Sequence, residues 1–123
     1  MIIGIGIDMV EISRVKRAIE NEKFIARVYT EKEINYCVSR GKGAVQSYAA
    51  RFAAKEAILK ALGTGLRGGK LTELEILPDD LGAPVATLTG SFNKLAQKKQ
   101  IKKIWITLSH TKEYAAAQCI MEG

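Results

Sequence analysis

Asp8, Glu56 and Lys60 are the residues whose types could act together on a phosphate. Two carboxylates with an open approach are what Mg²⁺ takes from a protein, because the ion keeps several waters and completes a near-octahedral shell with phosphate oxygens. A metal held in this way, with a lysine beside it, neutralises charge that grows during transfer at phosphorus. Glu56 and Lys60 share a helix face by their i, i+4 spacing, and such a surface pair is worth only about 0.3–0.5 kcal/mol. Asp8 stands on a separate element, and no spacing rule carries it to the other two. His110 is the only histidine. A lone histidine is commonly structural, yet one in a short turn between strands is open to solvent and able to donate to a phosphate or move a proton near neutral pH.

The element that carries Glu56 and Lys60 is residues 46–65, QSYAARFAAKEAILKALGTG, the longest run of good helix formers in the chain. Tyr48, Phe52, Leu59 and Leu62 form an apolar stripe, and Ala49, Ala50, Ala53, Ala54 and Ala57 permit close packing around more of the circumference. A helix this small-sided is expected to be buried, where its charged groups are costly unless paired or bound. Gly63 reads as a left-handed residue just past the helix end. The GTGLRGG stretch is no phosphate loop of the GxxxxGK[ST] type, because its glycines follow the helix. It still offers backbone amides and Arg67 to a phosphate.

Asp8 closes residues 2–8, IIGIGID, whose alternation suits a strand with Ile3, Ile5 and Ile7 on one face and Gly4, Gly6 and Asp8 on the other. Glycines inside a strand mark a close approach by another backbone, a helix or a ligand. The alternative is that Asp8 only ends the strand and caps the next element. Residues 11–21 read as a helix with Ile12, Val15 and Ile19 inward and Arg14 and Arg17 together on another face. That pair is either a solvated surface or a docking patch for an acidic helix. Residues 24–38 look helical in their second half, with Thr30 and Glu33 forming a capping box. Residues 40–45 read as a loop, and the long helix is expected from about Ser47. Residues 71–77 and 84–88 read as a hairpin, 91–99 as a helix, and 103–109 with 114–121 as a second hairpin around HTKE.

The 47% hydrophobic and 26% charged content is that of an ordinary globular protein, and the length suits one domain, residues 1–123. No apolar run approaches the ~20 residues of a membrane span and no signal peptide is visible, so a cytoplasmic location without membrane attachment is expected. Cys37 and Cys119 are far apart and suggest neither zinc nor a disulfide. The formal charge of +6 points to an acidic partner or substrate.

Four segments together resemble the holo-acyl-carrier-protein synthases, the short bacterial 4′-phosphopantetheinyl transferases. They are GIGIDMVEISR at 4–14, FIARVYTEKE at 24–33, ARFAAKEAILKALGTG at 50–65 and LSHTKEYAAAQ at 108–118. The resemblance implies an α+β fold in which an antiparallel sheet wraps a long central helix. It also implies transfer of 4′-phosphopantetheine from coenzyme A to a serine of apo-acyl-carrier protein, releasing 3′,5′-ADP, in fatty acid biosynthesis. By that resemblance Asp8 and Glu56 bind Mg²⁺, and Glu56 with a metal-bound water and Lys60 are the catalytic groups. Arg51, Lys60, Gly63, Thr64, Gly65, His110 and Thr111 bind coenzyme A, and Arg14 and Arg17 meet the carrier protein. The family is known for homotrimers with sites between subunits. Residues 68–76, GGKLTELEI, depart from the family's aromatic followed by Asp-Ile-Glu, with Leu71 and Glu73 as conservative stand-ins. Nothing is carried over onto the 40–45 loop.

Two other readings fit the composition. Acidic pairs with a lysine also suit a Mg²⁺-dependent nuclease. A non-enzymatic nucleic-acid module would use Lys98, Lys99, Lys102 and Lys103. Aromatic residues are only 7% of the chain and are not interleaved with the basic runs, which argues against stacking on bases and for no nucleic-acid partner.

Overall fold

Helix α4 (Ala44–Leu62) runs through the centre of the computed structural model, which describes residues 1–123. It starts three residues earlier than its sequence suggests, because a short 3₁₀ turn at Gly41–Gly43 leads directly into it. Of its 19 residues, 12 are buried, and these occupy nearly every direction around its axis. The alanine pattern had that meaning: small side chains let several layers approach one helix. Gly63 ends it at φ 80°, in the left-handed region, and Lys99 donates to the carbonyl of Leu62 at 2.8 Å. Lys99 is thus a cap for the helix rather than a free element of a basic face.

A three-stranded antiparallel sheet in the order β1-β5-β4 lies across α4. It is built from β1 (Ile2–Glu11), β4 (Lys103–His110) and β5 (Tyr114–Glu122). The register places Asp8 beside Ala117 and His110 beside Ala115. Strand β1 runs on past Asp8 to Glu11, so Asp8 neither ends the strand nor caps the next helix. Its glycine face meets α4. The opposite face carries Ile3, Ile5, Ile7 and Met9, all exposed, with Ile5 and Ile7 each at 65%.

The remaining elements cover the far side of α4. Helix α1 (Ile12–Ala18) is shorter than expected, with Ile12 and Val15 buried. A separate helix α2 (Glu22–Val28) follows, started by the Asn21 side chain, which accepts from the Lys23 amide. Helix α3 (Glu31–Ser39) opens with the capping box read from Thr30 and Glu33. Strands β2 (Leu74–Pro78) and β3 (Pro84–Leu88) form the second hairpin, and a 3₁₀ turn at Leu71–Glu73 takes the residues expected to begin β2. Helix α5 (Gly90–Lys98) packs Phe92 and Ala96 inward. The architecture is α+β with antiparallel sheets, as expected. Cys37 and Cys119 are fully buried free thiols, and burial pushes them up to about 11 and about 12.

Candidate active site

Asp8, Glu56 and Lys60 meet where β1 crosses the second half of α4. The Lys60 ammonium donates to the carbonyl of Ile7 at 2.9 Å and to Asp8 Oδ1 at 3.0 Å. The ion pair made by Lys60 is therefore with Asp8, 52 residues away, and not with Glu56 one turn before it. The Asp8 side chain is mostly covered, at 17% exposure, whereas Lys60 is open to solvent at 56%. Partial burial raises the proton affinity of Glu56, the Asp8 charge raises it further, and the Lys60 ammonium opposes both.

This cluster has the chemistry of a divalent cation site. Its donors are hard oxygens, two carboxylates whose charges repel and a backbone carbonyl turned toward the same ammonium. The lysine already shows that a cation is stabilised against Asp8 and Ile7. Gly63, Thr64 and Gly65 follow Lys60 at the end of the helix, with Thr64 Oγ1 donating to the Gly65 carbonyl at 2.9 Å.

Arg51 and His110 come together elsewhere. They line a cleft of about 440 Å³ with Arg40, Lys42, Gln46 and Ser47. Arg51 is 5% exposed, donates through Nε to the Ile76 carbonyl at 3.0 Å, and stacks over Tyr36 at 4.4 Å. A second nitrogen, Nη1, donates to the Ser47 carbonyl at 3.4 Å, and the remaining guanidinium hydrogens are left for a ligand. Arg40 and Lys42, in the loop to which no role was assigned, add two cations to this cleft. A glycine-rich loop with basic residues was the available signal, and only the fold shows which cavity it borders. Thr111 holds the β4–β5 turn: its hydroxyl oxygen accepts from the amides of Glu113 and Tyr114 at 3.2 and 3.1 Å, leaving the hydroxyl hydrogen to donate.

Arg14 borders a third hollow, walled by Met9, Val10, Val15, Phe52 and Tyr114. Arg17 is exposed on the same helix. A feature with no sequence signal is the buried pair of Lys55 and Glu33, 2.8 Å apart with both side chains at 0% exposure. Lys55 also donates to the Leu71 carbonyl, and Glu33 accepts from the amides of Thr30 and Ile76. Burial pulls the Lys55 pKa down, against the Glu33 carboxylate, which holds the proton on. The lysine next to Glu56 is thus a structural bolt joining α4, α3 and β2.

The profile of the 4′-phosphopantetheinyl transferase superfamily matches residues 4–119. The holo-[acyl-carrier-protein] synthase of Clostridium tetani is 49% identical over 125 residues, spanning 100% of this chain and 98% of its own. The crystal structure of the holo-[acyl-carrier-protein] synthase of Neisseria meningitidis superposes with a TM-score of 0.91 at 32% identity, covering 100% of both chains. That of Bacillus anthracis, in complex with CoA (3′,5′-ADP), superposes with a TM-score of 0.82 at 34% identity, covering 98% of this chain and 96% of its own. The fold, the placement of the four segments and these likenesses agree: this chain belongs to the 4′-phosphopantetheinyl transferase superfamily, in its holo-[acyl-carrier-protein] synthase family.

Proposed function

We propose that the protein transfers 4′-phosphopantetheine from coenzyme A to a serine of apo-acyl-carrier protein, with residues 1–123 acting as one catalytic domain. The observation that supports the chemistry is the meeting of Asp8, Glu56 and Lys60 beside the β1 backbone. The serine oxygen bonds to the β-phosphorus, the bond from that phosphorus to the bridging oxygen breaks, and 3′,5′-ADP leaves with the bridging oxygen. Asp8 and Glu56 would hold Mg²⁺, whose charge neutralises the pyrophosphate oxygens and stabilises the departing phosphate. Lys60 turns from Asp8 to the same oxygens. Glu56 accepts the serine proton by way of a water that its carboxylate orients. The basic cleft of Arg40, Lys42, Arg51 and His110 holds the phosphorylated nucleotide end of coenzyme A.

Arg51 and Lys60 are nine residues apart on α4, which turns about 100° and rises about 1.5 Å per residue. They therefore point to opposite sides of the helix, about 13 Å apart along it. This supports a site that takes its carboxylates from one copy and its basic cleft from a neighbour in a homotrimer. The exposed row of Ile3, Ile5, Ile7 and Met9 supplies an apolar face for that assembly, too large to be left bare. Arg14 beside the Met9–Phe52 hollow, with Arg17 exposed on the same helix, suits an acidic carrier helix with an apolar ridge. No helix is long and apolar enough to cross a membrane, and a cytoplasmic location suits coenzyme A and carrier-protein chemistry.

The deciding experiment incubates the protein with Mg²⁺, coenzyme A and apo-acyl-carrier protein and weighs the carrier. A gain equal to phosphopantetheine is expected. No gain with several carriers would overturn the reading.

A further inference from the structure

Of the glycines, those on the face of β1 that meets the α4 backbone have the least room. A Cβ built on Gly6 would lie 2.0 Å from the Ala57 carbonyl oxygen, 2.9 Å from the Ala61 nitrogen and 3.0 Å from the Ala57 carbonyl carbon. One built on Gly4 would lie 2.0 Å from the Ala61 oxygen. The strand and the helix thus touch backbone to backbone, and no side chain can yield to make room. The spacing is commensurate: two strand residues advance about 6.6 Å and one four-residue helical step about 6 Å, so Gly4 over Ala61 and Gly6 over Ala57 repeat one contact. Ala57 and Ala61 are 0% and 8% exposed.

Asp8 continues the same strand face two residues beyond Gly6, and Glu56 is next to Ala57 on the helix. At about 100° per residue, Glu56 and Lys60 project on one flank of the Ala57 direction. That is the flank where Lys60 reaches Ile7 and Asp8. The distance between the two carboxylates is therefore set by the Gly6–Ala57 contact, one residue from Glu56 and two from Asp8.

We infer that Gly6 is a positioning residue: by having no Cβ it fixes the separation of Asp8 and Glu56 at the span needed to share one divalent cation. The inference rests on the reading of Asp8 and Glu56 as metal ligands. Gly6→Ala must move the helix off the strand by about 1.4 Å to take the 2.0 Å approach out to an ordinary 3.4 Å contact. Magnesium accepts oxygen ligands only near 2.0–2.1 Å, so a displacement of that size pulls one carboxylate out of reach of an ion held by the other. Gly4→Ala makes the same clash twice as far from Asp8 and is the control for packing alone.

The test measures Mn²⁺ binding by electron paramagnetic resonance, with and without coenzyme A, beside thermal unfolding. Both glycine variants are expected to lower Tm, with Gly6→Ala weakening Mn²⁺ at least 10-fold and Gly4→Ala less than 3-fold. Asp8→Glu, which keeps the carboxylate at a strand position and is checked by the same thermal unfolding, should also weaken Mn²⁺ about 10-fold, because its extra methylene overshoots a fixed span. In the Gly6→Ala background, Asp8→Glu should recover part of the loss. Equal Mn²⁺ losses in the two glycine variants would make the contact mere packing and overturn the inference. Should Gly6→Ala not fold, Asp8→Glu decides, and wild-type Mn²⁺ affinity in that variant would overturn it. No Mn²⁺ signal from the unmodified protein in either condition would remove the carboxylate-pair reading itself.

Discussion

Lys60 Nζ lies 3.0 Å from Asp8 Oδ1 and 2.9 Å from the Ile7 carbonyl, the place a cation would take between β1 and α4. The lysine is thus a counter-ion to the carboxylates in the protein as it stands. On the proposed reading it must leave them for the substrate.

That exchange has a measurable sign. Lys60→Met removes a competing positive charge, so Mg²⁺ should bind the protein without coenzyme A several-fold more tightly in a calorimetric titration. The same variant should transfer phosphopantetheine about 10²-fold more slowly, because a charge aimed at the departing phosphate is gone. Weaker Mg²⁺ binding by Lys60→Met would show that the lysine supports the metal site instead of sharing it.

Glu56→Gln separates the electrostatic cost of the site from its use. Burial and the Asp8 charge raise the Glu56 pKa, so the folded protein binds that proton more tightly than the unfolded chain does. A raised pKa contributes stability at pH values below the unfolded carboxylate range, and that contribution is lost as pH rises through the folded value. The glutamine variant should therefore match the wild-type Tm near about pH 4 and gain on it as pH rises toward about 7. Added Mg²⁺ should narrow the gap. Transfer activity should be lost while circular dichroism is unchanged. A folded variant with wild-type turnover would take Glu56 out of the site.

These opposed signs arise from contacts that spacing does not reveal. The i, i+4 rule pairs Glu56 with Lys60, but the long stem of Lys60 reaches an oxygen on another element instead. The Ala-rich pattern of α4 and the alternation of β1 made their packing legible, down to which face of the strand carries the glycines. It did not reveal that the isoleucine face is the exposed one, since apolar alternation is the same whether a core or another copy covers it. Helix α2 is not legible in the sequence because its cap, Asn21 accepting from the Lys23 amide, has Phe24 rather than Glu or Gln at the third helical position to mark it. Lys55 and Glu33 are 22 residues apart; Glu33 reads as a capping-box partner of Thr30 and Lys55 as an ordinary surface charge until the fold buries both against each other. Arg40 and Lys42 join the cleft through a loop whose path no local pattern encodes.

The proposed carrier-docking surface makes a prediction that leaves chemistry alone. Arg14 borders the hollow lined by Met9, Val15 and Phe52, and makes none of the hydrogen bonds that join Lys60 to Ile7 and Asp8. Arg14→Glu should raise the KM for apo-acyl-carrier protein about 10-fold or more, with the KM for coenzyme A unchanged. The effect should shrink as salt is raised, because exposed charges are screened beyond about 10 Å at 0.1 M. An unchanged carrier KM would count against this face as the dock.

The arrangement of Arg51 and Lys60 on opposite sides of α4 yields the most specific expectation. If one site draws its carboxylates from one subunit and its basic cleft from the next, damage to either half is complementable. Glu56→Gln abolishes the first half, and the double variant Arg40→Ala/His110→Ala weakens the second without touching the buried guanidinium of Arg51. Each variant alone forms only defective sites. When the two are unfolded together in equal amounts and refolded, a site is intact when its carboxylates come from the cleft variant and its cleft from the Glu56 variant. Random assembly makes about half of each choice correct, so about a quarter of the sites should regain wild-type turnover. Mixing without refolding should restore activity only at the rate of subunit exchange. If every site lay within one chain, no mixing could rescue it, and a refolded mixture as inactive as its components would refute the shared site.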